Sequence, residues 1–214
     1  MLLTEKNVMA YVREQNGRRL LILDGGDRLT PAARDILRRE NITVQPKKPE
    51  HMTNLDKDTL VPKNHPRIIF RGKLDSLQAE ILLLQKEPTA PKSALQDMLG
   101  LLRSVMRAEV LQESLPPFQI GGMDEKELHE RSHMPQKYYG IGHFLPSAED
   151  DMVLLKLNRL RTQVRETELA CYTAFAEKNG KLSRNDILTA LNRLSSACWV
   201  LCLARKGGDH GAPH

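Results

Sequence analysis

From about residue 66 onward, apolar residues recur every three or four positions along several long segments. This spacing places them on one face of an α-helix. Two such segments, 66–85 and 92–111, are separated only by the turn at Glu87–Pro91, and two more follow at 149–178 and 183–206. Long helices with short connections pack naturally as an antiparallel bundle. The apolar stripes of the first two segments are Ile69, Leu74, Leu77, Ile81 and Leu84, then Leu95, Met98, Leu99, Leu102, Val105 and Met106.

The first 48 residues follow a different pattern and predict a small α+β unit. Leu3–Gln15 has helical periodicity, whereas Arg19–Leu23 is typical of a short strand. Pro31–Arg39 is predicted to be a helix because Thr30 supplies a capping hydroxyl and proline occupies the first helical position. Ile42–Val44 could add a second strand.

The predicted fold class is therefore mainly α, a bundle of four to five helices preceded by the small α+β unit. The unit at 1–48 ends in the Pro46–Pro49 linker, and the bundle occupies 49–206. A short helix at 124–133 is the fifth, and residues 207–214 are predicted to be a disordered tail.

Composition narrows the class of partner but does not choose one. The N-terminus is charged and no apolar run approaches the roughly 18–20 residues that span a bilayer, which predicts neither export nor a membrane span. Three cysteines without an export signal indicate a reducing cytoplasm rather than a disulfide framework. The net charge of +5 favours an anionic partner, whether nucleic acid, nucleotide phosphate or an acidic protein surface.

The third long helix carries Arg161, Arg165 and Glu168, which share a face because they lie at i, i+4 and i+7. Two guanidinium groups one turn apart can hold a polyphosphate. The alternative is a solvated charged face with local ion pairs, and spacing alone favours that alternative.

The fourth helix places Asn192 and Arg193 in an apolar context. Burying both is costly unless each has a partner, and a ligand, an intersubunit bond or an ion pair to Glu168 would serve. Cys198 and Cys202 share the face of the neighbouring leucines and are interpreted as core residues rather than metal ligands.

Residues 61–78 place Lys63 and Arg67 at a helix start, where backbone N–H groups can also meet phosphates. Asp75, two turns further on, needs a cationic partner, although all three are also common surface residues near a helix start. His129 and His133 have the i, i+4 spacing of metal ligands. No third ligand is in view, so a hydrogen-bonding or surface role is favoured.

Three of these stretches resemble, in order and approximate spacing, the corrinoid adenosyltransferases of the PduO and EutT types. VPKNHPRIIFRGKLDSLQ (61–78) keeps the lysine, Pro-Arg, glycine and aspartate of the PduO pattern but has Ser76 and Gln78 in its D-E-L-N segment. The family's R-x-x-x-R-R-A-E helix matches Arg161–Glu168, with Glu166 replacing the second arginine of its pair. The L-N-R-L-S segment matches Leu191–Ser195 unchanged.

The resemblance to the EutT branch, the ethanolamine-utilization enzymes, covers more of the chain. Five segments in family order argue against a chance match: LTPAAR (29–34), MRAEVL (106–111), DEKELHERSHMP (124–135), LRTQVRETE (160–168) and LTALNRLSS (188–196). The resemblance implies transfer of the 5′-deoxyadenosyl group of ATP, bound with Mg²⁺, to the reduced cobalt of cobalamin or a related corrinoid. The product would be adenosylcobalamin.

The resemblance also implies site residues in a cleft shared by neighbouring subunits. Arg165 would bind the triphosphate, and Arg161 would form an intersubunit salt bridge with Asp75. The implied ATP-binding residues are Lys63, Arg67, Glu168, Asn192 and Arg193. The family's F-x-L-P segment, which keeps a lower ligand off the cobalt, corresponds to His143 at the aromatic position with Phe144 beside it. A histidine could ligate cobalt, so Phe144 and its apolar neighbours are predicted to form the wall.

Two departures from the family are visible. EutT enzymes carry a Cys-rich metal motif before the first long helix, but here no cysteine precedes Cys171, which predicts no requirement for Fe²⁺ or Zn²⁺. The phosphate loop of the PduO type is also not visible, and His51–Asp58 is its only candidate.

The family context implies a homo-oligomer, with a trimer favoured over a dimer. It also points to a corrinoid reductase and an adenosylcobalamin-dependent lyase as partners, and to a cytoplasmic enzyme with microcompartment association as a further hypothesis. Two other functions stay open. One is a carrier that delivers adenosylcobalamin to a lyase, and the other is a basic helical module in which residues 1–48 dock to nucleic acid or a protein shell.

Overall fold

A computed structural model describes residues 1–15, 17–177 and 179–207. It divides into two compact units, the first at Met1–Thr53 and the second from Asn54 onward. The sequence placed this division at residue 48. Of the predicted tail, residues 208–214 lie outside the described residues.

The first unit contains a short helix and small sheets. Its strands are β1 (Leu2–Leu3), β2 (Val12–Gln15), β3 (Arg18–Leu23), β4 (Arg28–Leu29) and β5 (Thr43–Pro46), with a 3₁₀ turn at Val8–Tyr11 and helix α1 at Pro31–Arg39. β2 pairs antiparallel with β3, whereas β5 pairs parallel with β3 and β1 pairs parallel with β4. The core of this unit consists of Leu3, Val8, Leu21, Ala33, Leu37 and Ile42.

The predicted helix at Leu3–Gln15 is wrong, whereas the predicted α1 has the observed bounds. Val12 pairs with Leu21 and Gln15 with Arg18, so the backbone groups of this segment are satisfied across a hairpin. A helix of this length is marginal by itself, and the neighbouring apolar strand provides a better partner. Thr30 caps α1 as predicted, because its hydroxyl oxygen accepts a hydrogen bond from the Ala33 amide at 3.2 Å.

The second unit is a helical bundle, which confirms the predicted fold class. After β6 (Met52–Asn54), which spans the division, come β7 (Leu60–Pro62), α2 (Pro66–Leu84), α3 (Lys92–Leu111), α4 (Glu125–His133), α5 (Pro135–Tyr139), α6 (Met152–Phe175) and α7 (Asn185–Gly207). Helix α6 packs against both α2 and α7, α3 packs on α2, and α4 lies on α7. Helix α7 begins at Asn185, two residues later than predicted, and the Ser183 hydroxyl donates to the Phe175 carbonyl at 3.1 Å.

Helix α7 is the most apolar element of the bundle. Within the described residues it is the one helix long and apolar enough to cross a membrane, and 61% of its apolar window is buried inside the protein. Burial raises the pKa of the Cys202 thiol to about 12 and also raises that of Cys198. Such thiols stay protonated and pack as small apolar groups, as the sequence predicted.

A buried carboxylate joins α2 to α3. Glu109 is fully buried, and its carboxylate accepts hydrogen bonds from the Nε atoms of Arg67, at 2.5 Å, and Arg71. Arg67 also donates to the backbone oxygen of Glu109 at 3.1 Å. A buried charge is tolerated only when it is paired in this way, so the cluster fixes the start of α2 against the end of α3.

Replacing Glu109 by glutamine is expected to lower the free energy of unfolding by about 3–5 kcal/mol, because two partly buried guanidinium groups lose their fully buried counter-charge. Urea unfolding followed by circular dichroism measures this. The matched control is Glu113→Gln, since Glu113 is half exposed and pairs with the exposed Arg107. This substitution is expected to leave the free energy of unfolding nearly unchanged, because an exposed ion pair contributes little. Equal effects of the two substitutions would contradict the role of the buried cluster.

Candidate functional site

A cleft of about 890 Å³ opens between α6 and α7, and is bordered by α4 and the segment that follows α5. Both long helices contribute residues from one face, and the third border is irregular chain. The lining residues are His129, Ser132, His133, His143, Phe144, Leu145, Pro146, Arg161, Arg165, Glu168, Leu169, Tyr172, Leu188, Asn192, Ser195, Ser196 and Trp199.

Two cations on α6 face this cleft without a carboxylate partner. Among the described residues Arg165 is exposed and has no hydrogen bond or ion pair. Arg161 likewise has no hydrogen bond or ion pair there, and its guanidinium lies over Trp199, 5.0 Å from the ring centroid. Other charges of the same helix are neutralised, since Arg159 pairs with Glu80 and Glu166 pairs with Lys73. A charged face with ion pairs, the alternative that spacing favoured, therefore describes the outer side of α6. On the side toward the cleft, Arg161 and Arg165 are not neutralised by an ion pair within the described residues.

The polar residues of α7 are held by their neighbours. The Asn192 amide donates to Glu168 Oε1 at 3.1 Å and accepts from Arg193 at 3.2 Å through its oxygen. Arg193 also contacts His129 Nδ1 at 2.9 Å. Asn192 and Glu168 thus form a bridge across the cleft floor between α7 and α6, which orients both side chains before any ligand arrives.

The two histidines of α4 are fixed in defined tautomers. Because a guanidinium only donates, His129 Nδ1 must accept and its ring proton lies on Nε2. His133 Nδ1 lies 2.9 Å from the His129 carbonyl oxygen and must therefore donate to it. Desolvation, the charge of Arg193 and the neighbouring His133 lower the pKa of His129.

The positive charge of Arg193 also disfavours binding of a metal cation by His129. No cluster of three ligating side chains occurs in the part of the chain that the structure describes.

His129 is expected to titrate below the ordinary histidine pKa of about 6.5, so that it stays neutral into mildly acidic solution. NMR titration of the histidine ring protons measures this. Replacing Arg193 by leucine removes one cause of the shift, and the pKa of His129 is expected to rise toward its ordinary value. An unchanged titration in that variant would show that Arg193 does not act on His129.

The apolar part of the cleft is built around Trp199, which is 8% exposed. The Phe144 ring packs on it with centroids 4.9 Å apart and an interplanar angle of 27°. The Trp199 indole N–H donates to His143 Nδ1 at 3.2 Å. Leu145 and Leu169 also line the cleft and are 92% and 70% exposed. Apolar side chains left in solvent at a cleft mark a surface that gains from covering by an apolar ligand or partner.

Sequence reasoning missed Trp199. It lies on the same face of α7 as Asn192 and Ser196, at i+7 and i+3, and that spacing was the available signal. An isolated tryptophan in an apolar helix is more simply interpreted as a core residue. Whether Trp199 lines a cleft depends on where the segment after α5 lies, and the periodicity of the sequence does not predict that.

Four of the predicted site residues are not among those that line this cleft in a single chain. One of them, Arg193, lies beside the cleft and donates to Asn192. Asp75 is exposed in a separate groove between α2 and α3, together with Arg103 and Val110. Arg67 is engaged by Glu109, and Lys63 is exposed in the turn before α2. No residue of the candidate phosphate loop at 51–58 is among the described residues that line the cleft.

The sequence matches the model of a known family, described as cobalamin adenosyltransferase, over residues 44–205. The chain belongs to the cobalamin adenosyltransferase family. This confirms the resemblance drawn from the motifs. Among curated members, the corrinoid adenosyltransferase EutT of Salmonella typhimurium is 40% identical over 158 residues, which is 73% of this chain. The Escherichia coli EutT is 39% identical over the same length, and the match spans 59% of each of these relatives.

Solved structures of family members have the same fold. A variant of a PduO-type ATP:corrinoid adenosyltransferase from Lactobacillus reuteri, complexed with cobalamin and ATP, matches with a TM-score of 0.58 and 18% sequence identity. The match covers 74% of this chain and 87% of that chain. A second variant of the same enzyme matches with the same TM-score and 16% identity, covering 89% of its chain. At this identity the comparison establishes the bundle fold of this member of the family.

Proposed function

We propose that the chain is an ATP:corrinoid adenosyltransferase that moves the 5′-deoxyadenosyl group of ATP onto the Co(I) centre of cobalamin. The observation that carries the proposal is one cleft in which two uncompensated guanidinium groups stand beside an apolar wall. Arg161 and Arg165 suit a triphosphate, and Phe144 with Trp199 suits a flat apolar macrocycle. The named activities of the related EutT and PduO-type enzymes supply the substrate pair.

In this reaction the cobalt is the nucleophile, so the main role of the protein would be to position the two substrates. Co(I) attacks C5′ of the ribose, a cobalt–carbon bond forms, and the bond from C5′ to the triphosphate oxygen breaks. The electron pair of that bond leaves on the triphosphate, so negative charge grows at the phosphate end. Arg165 is exposed in the cleft and has no partner among the described residues, and it would stabilise this charge. Mg²⁺, bound with ATP, would share the phosphates as part of the substrate.

The polar bridge on the cleft floor would hold the nucleoside. Asn192 and Glu168 are already oriented by their mutual hydrogen bond, and Arg193 supports Asn192. Bringing ribose C5′ into line with the cobalt converts a bimolecular attack into a positioned one. The apolar wall would exclude water, which is an axial ligand for Co(II) before reduction and a proton donor to the nucleophilic Co(I) after it.

The remaining site residues fit a cleft completed by a second copy of the chain. Asp75 is exposed and Arg161 has no carboxylate partner within the described part of the chain, so a salt bridge between subunits would satisfy both. Lys63 is exposed and uncommitted among the described residues and is the better candidate phosphate ligand. Arg67, although proposed for the same role, is already bound to Glu109. A homotrimer with shared sites is the proposed assembly.

The cellular setting is proposed from the relatives. Their role in ethanolamine utilization suggests a cytoplasmic enzyme that receives electrons from a corrinoid reductase and supplies an adenosylcobalamin-dependent lyase. Association with a microcompartment is part of the same proposal, with the first unit as the candidate docking element.

A single assay tests the activity. Purified protein is mixed with ATP, Mg²⁺ and chemically reduced cob(I)alamin, and the absorbance change that accompanies cobalt–carbon bond formation is recorded. Saturable formation of adenosylcobalamin is expected. No product above the protein-free background would contradict the proposal, and tight binding of added adenosylcobalamin in that case would favour the carrier function.

A further inference from the structure

His143 presents a chemical problem for the proposed function. It lines the apolar part of the cleft, where a corrin face would lie, and its ring is exposed there. Imidazole is a common ligand for transition metals through an unprotonated ring nitrogen. A base bound to cobalt from below raises the energy of the orbital that must accept an electron, so it opposes reduction to Co(I).

The geometry around His143 prevents its ring from acting as a cobalt ligand. The Trp199 indole nitrogen donates to His143 Nδ1 at 3.2 Å, and the two ring planes are within 13° of parallel with centroids 6.0 Å apart. At that centroid separation the rings overlap little, so the N–H meets the ring nitrogen rather than the face of the imidazole. An indole only donates, so Nδ1 accepts with the single in-plane lone pair of the neutral ring. The ring proton is therefore on Nε2, which has no lone pair left to offer.

Trp199 is itself held firmly in place. It is 8% exposed, Phe144 packs on its ring with centroids 4.9 Å apart, and the Arg161 guanidinium lies 5.0 Å from it. The indole thus has little freedom to release the histidine, and the contact to Arg161 links it to the proposed phosphate side of the cleft.

We propose that Trp199 is a positioning residue that occupies the lone pair of His143 and so prevents this histidine from coordinating the corrinoid cobalt. His143 then contributes a flat, non-ligating ring to the wall that Phe144 begins. This inference rests on the proposed function, because it requires a corrinoid in the apolar part of the cleft.

The test uses Trp199→Phe, which keeps a flat aromatic ring but is smaller than indole and has no N–H donor. The probe is cob(II)inamide, a corrinoid without a lower nucleotide base, bound with ATP and examined by electron paramagnetic resonance. Any nitrogen splitting of the cobalt lines must then come from the protein. The wild type is expected to show none, Trp199→Phe is expected to show it, and the double variant Trp199→Phe/His143→Phe is expected to lose it again.

Turnover should follow the same order. Adenosyl transfer by Trp199→Phe is expected to fall by about 10- to 100-fold, the usual size of effect when a hydrogen bond next to a metal centre is removed, and to recover in the double variant. Absence of nitrogen splitting in Trp199→Phe, or its persistence in the double variant, would overturn the inference. If the wild type forms no adenosylcobalamin, the proposed function fails instead.

A measurement on the wild type covers the case in which the variant does not fold. Nitrogen-15 NMR of the histidine side chains reports which ring nitrogen carries the proton. A proton on Nε2 of His143 is expected, and a proton on Nδ1 would refute the inference without any variant.

Discussion

Replacing Arg165 by alanine is expected to lower kcat for adenosyl transfer by about 10²–10³-fold, the usual cost of removing one preorganised donor from a developing negative charge. Arg165 has no partner among the described residues, so its charge is available to the leaving triphosphate and no internal ion pair is broken by the change. The KM for ATP should rise less than kcat falls, since the charge on the leaving oxygen grows mainly during the reaction. Steady-state kinetics with cob(I)alamin measures both.

The matched control is Arg159→Ala, on the same helix. Arg159 is 64% exposed, pairs with Glu80 and faces away from the cleft. Arg159→Ala removes the same side chain and charge as Arg165→Ala, but outside the cleft. A near-normal kcat is therefore expected. Equal losses in the two variants would mean that only the net charge matters, and normal turnover by Arg165→Ala would show that the triphosphate binds elsewhere. Unchanged circular dichroism excludes unfolding as the cause of a loss.

Mixing two inactive variants is expected to restore activity if the site is shared between subunits. Asp75→Ala and Arg165→Ala damage the two sides of the proposed interface, because Asp75 lies in the α2–α3 groove and Arg165 in the α6–α7 cleft. In randomly mixed oligomers about a quarter of the interfaces would combine an intact Asp75 with an intact Arg165, by the symmetry of head-to-tail assembly. Denaturing the two variants together and refolding them, then assaying turnover, gives the result.

The same experiment has a clear contrary outcome. If Asp75 and Arg165 act within one chain, or if Asp75 has no part in the site, the mixture will be no more active than the mean of the two variants. Refolded wild type provides the reference for recovery. A mixture of Arg165→Ala with Glu168→Ala damages the same side of the cleft twice, so no restoration is expected there even when sites are shared.

The bundle could be predicted from the sequence because its helices are long and their apolar periodicity is regular. Helix α3 has the predicted bounds, and α2 differs by one residue at its end. The first strands could not be predicted in the same way. Val12–Gln15 has apolar and polar residues that fit a helix equally well, and the pairing with Arg18–Leu23 decides between them.

Some residues of the candidate site could likewise be predicted from the sequence and others could not. Arg161, Arg165, Glu168 and Asn192 could be predicted to meet because each helix face is set by the 3.6-residue period, and α6 packs on α7. Trp199 could not, because its role depends on where His143 and Phe144 lie, and these follow a non-helical segment. The separation of Asp75 from the cleft is likewise a property of three-dimensional packing that spacing along the chain does not contain.

Helix α7 contributes residues both to the cleft and to the hydrophobic core. Leu191, Leu194 and Cys198 are buried, and they lie next to the cleft residues Asn192 and Trp199 in the sequence. Amide protons in such a helix exchange with solvent mainly when the whole domain opens. The side chains of α7 that line the cleft are therefore expected to keep their arrangement until the protein unfolds. Hydrogen exchange of α7 and thermal loss of activity should accordingly report one and the same transition.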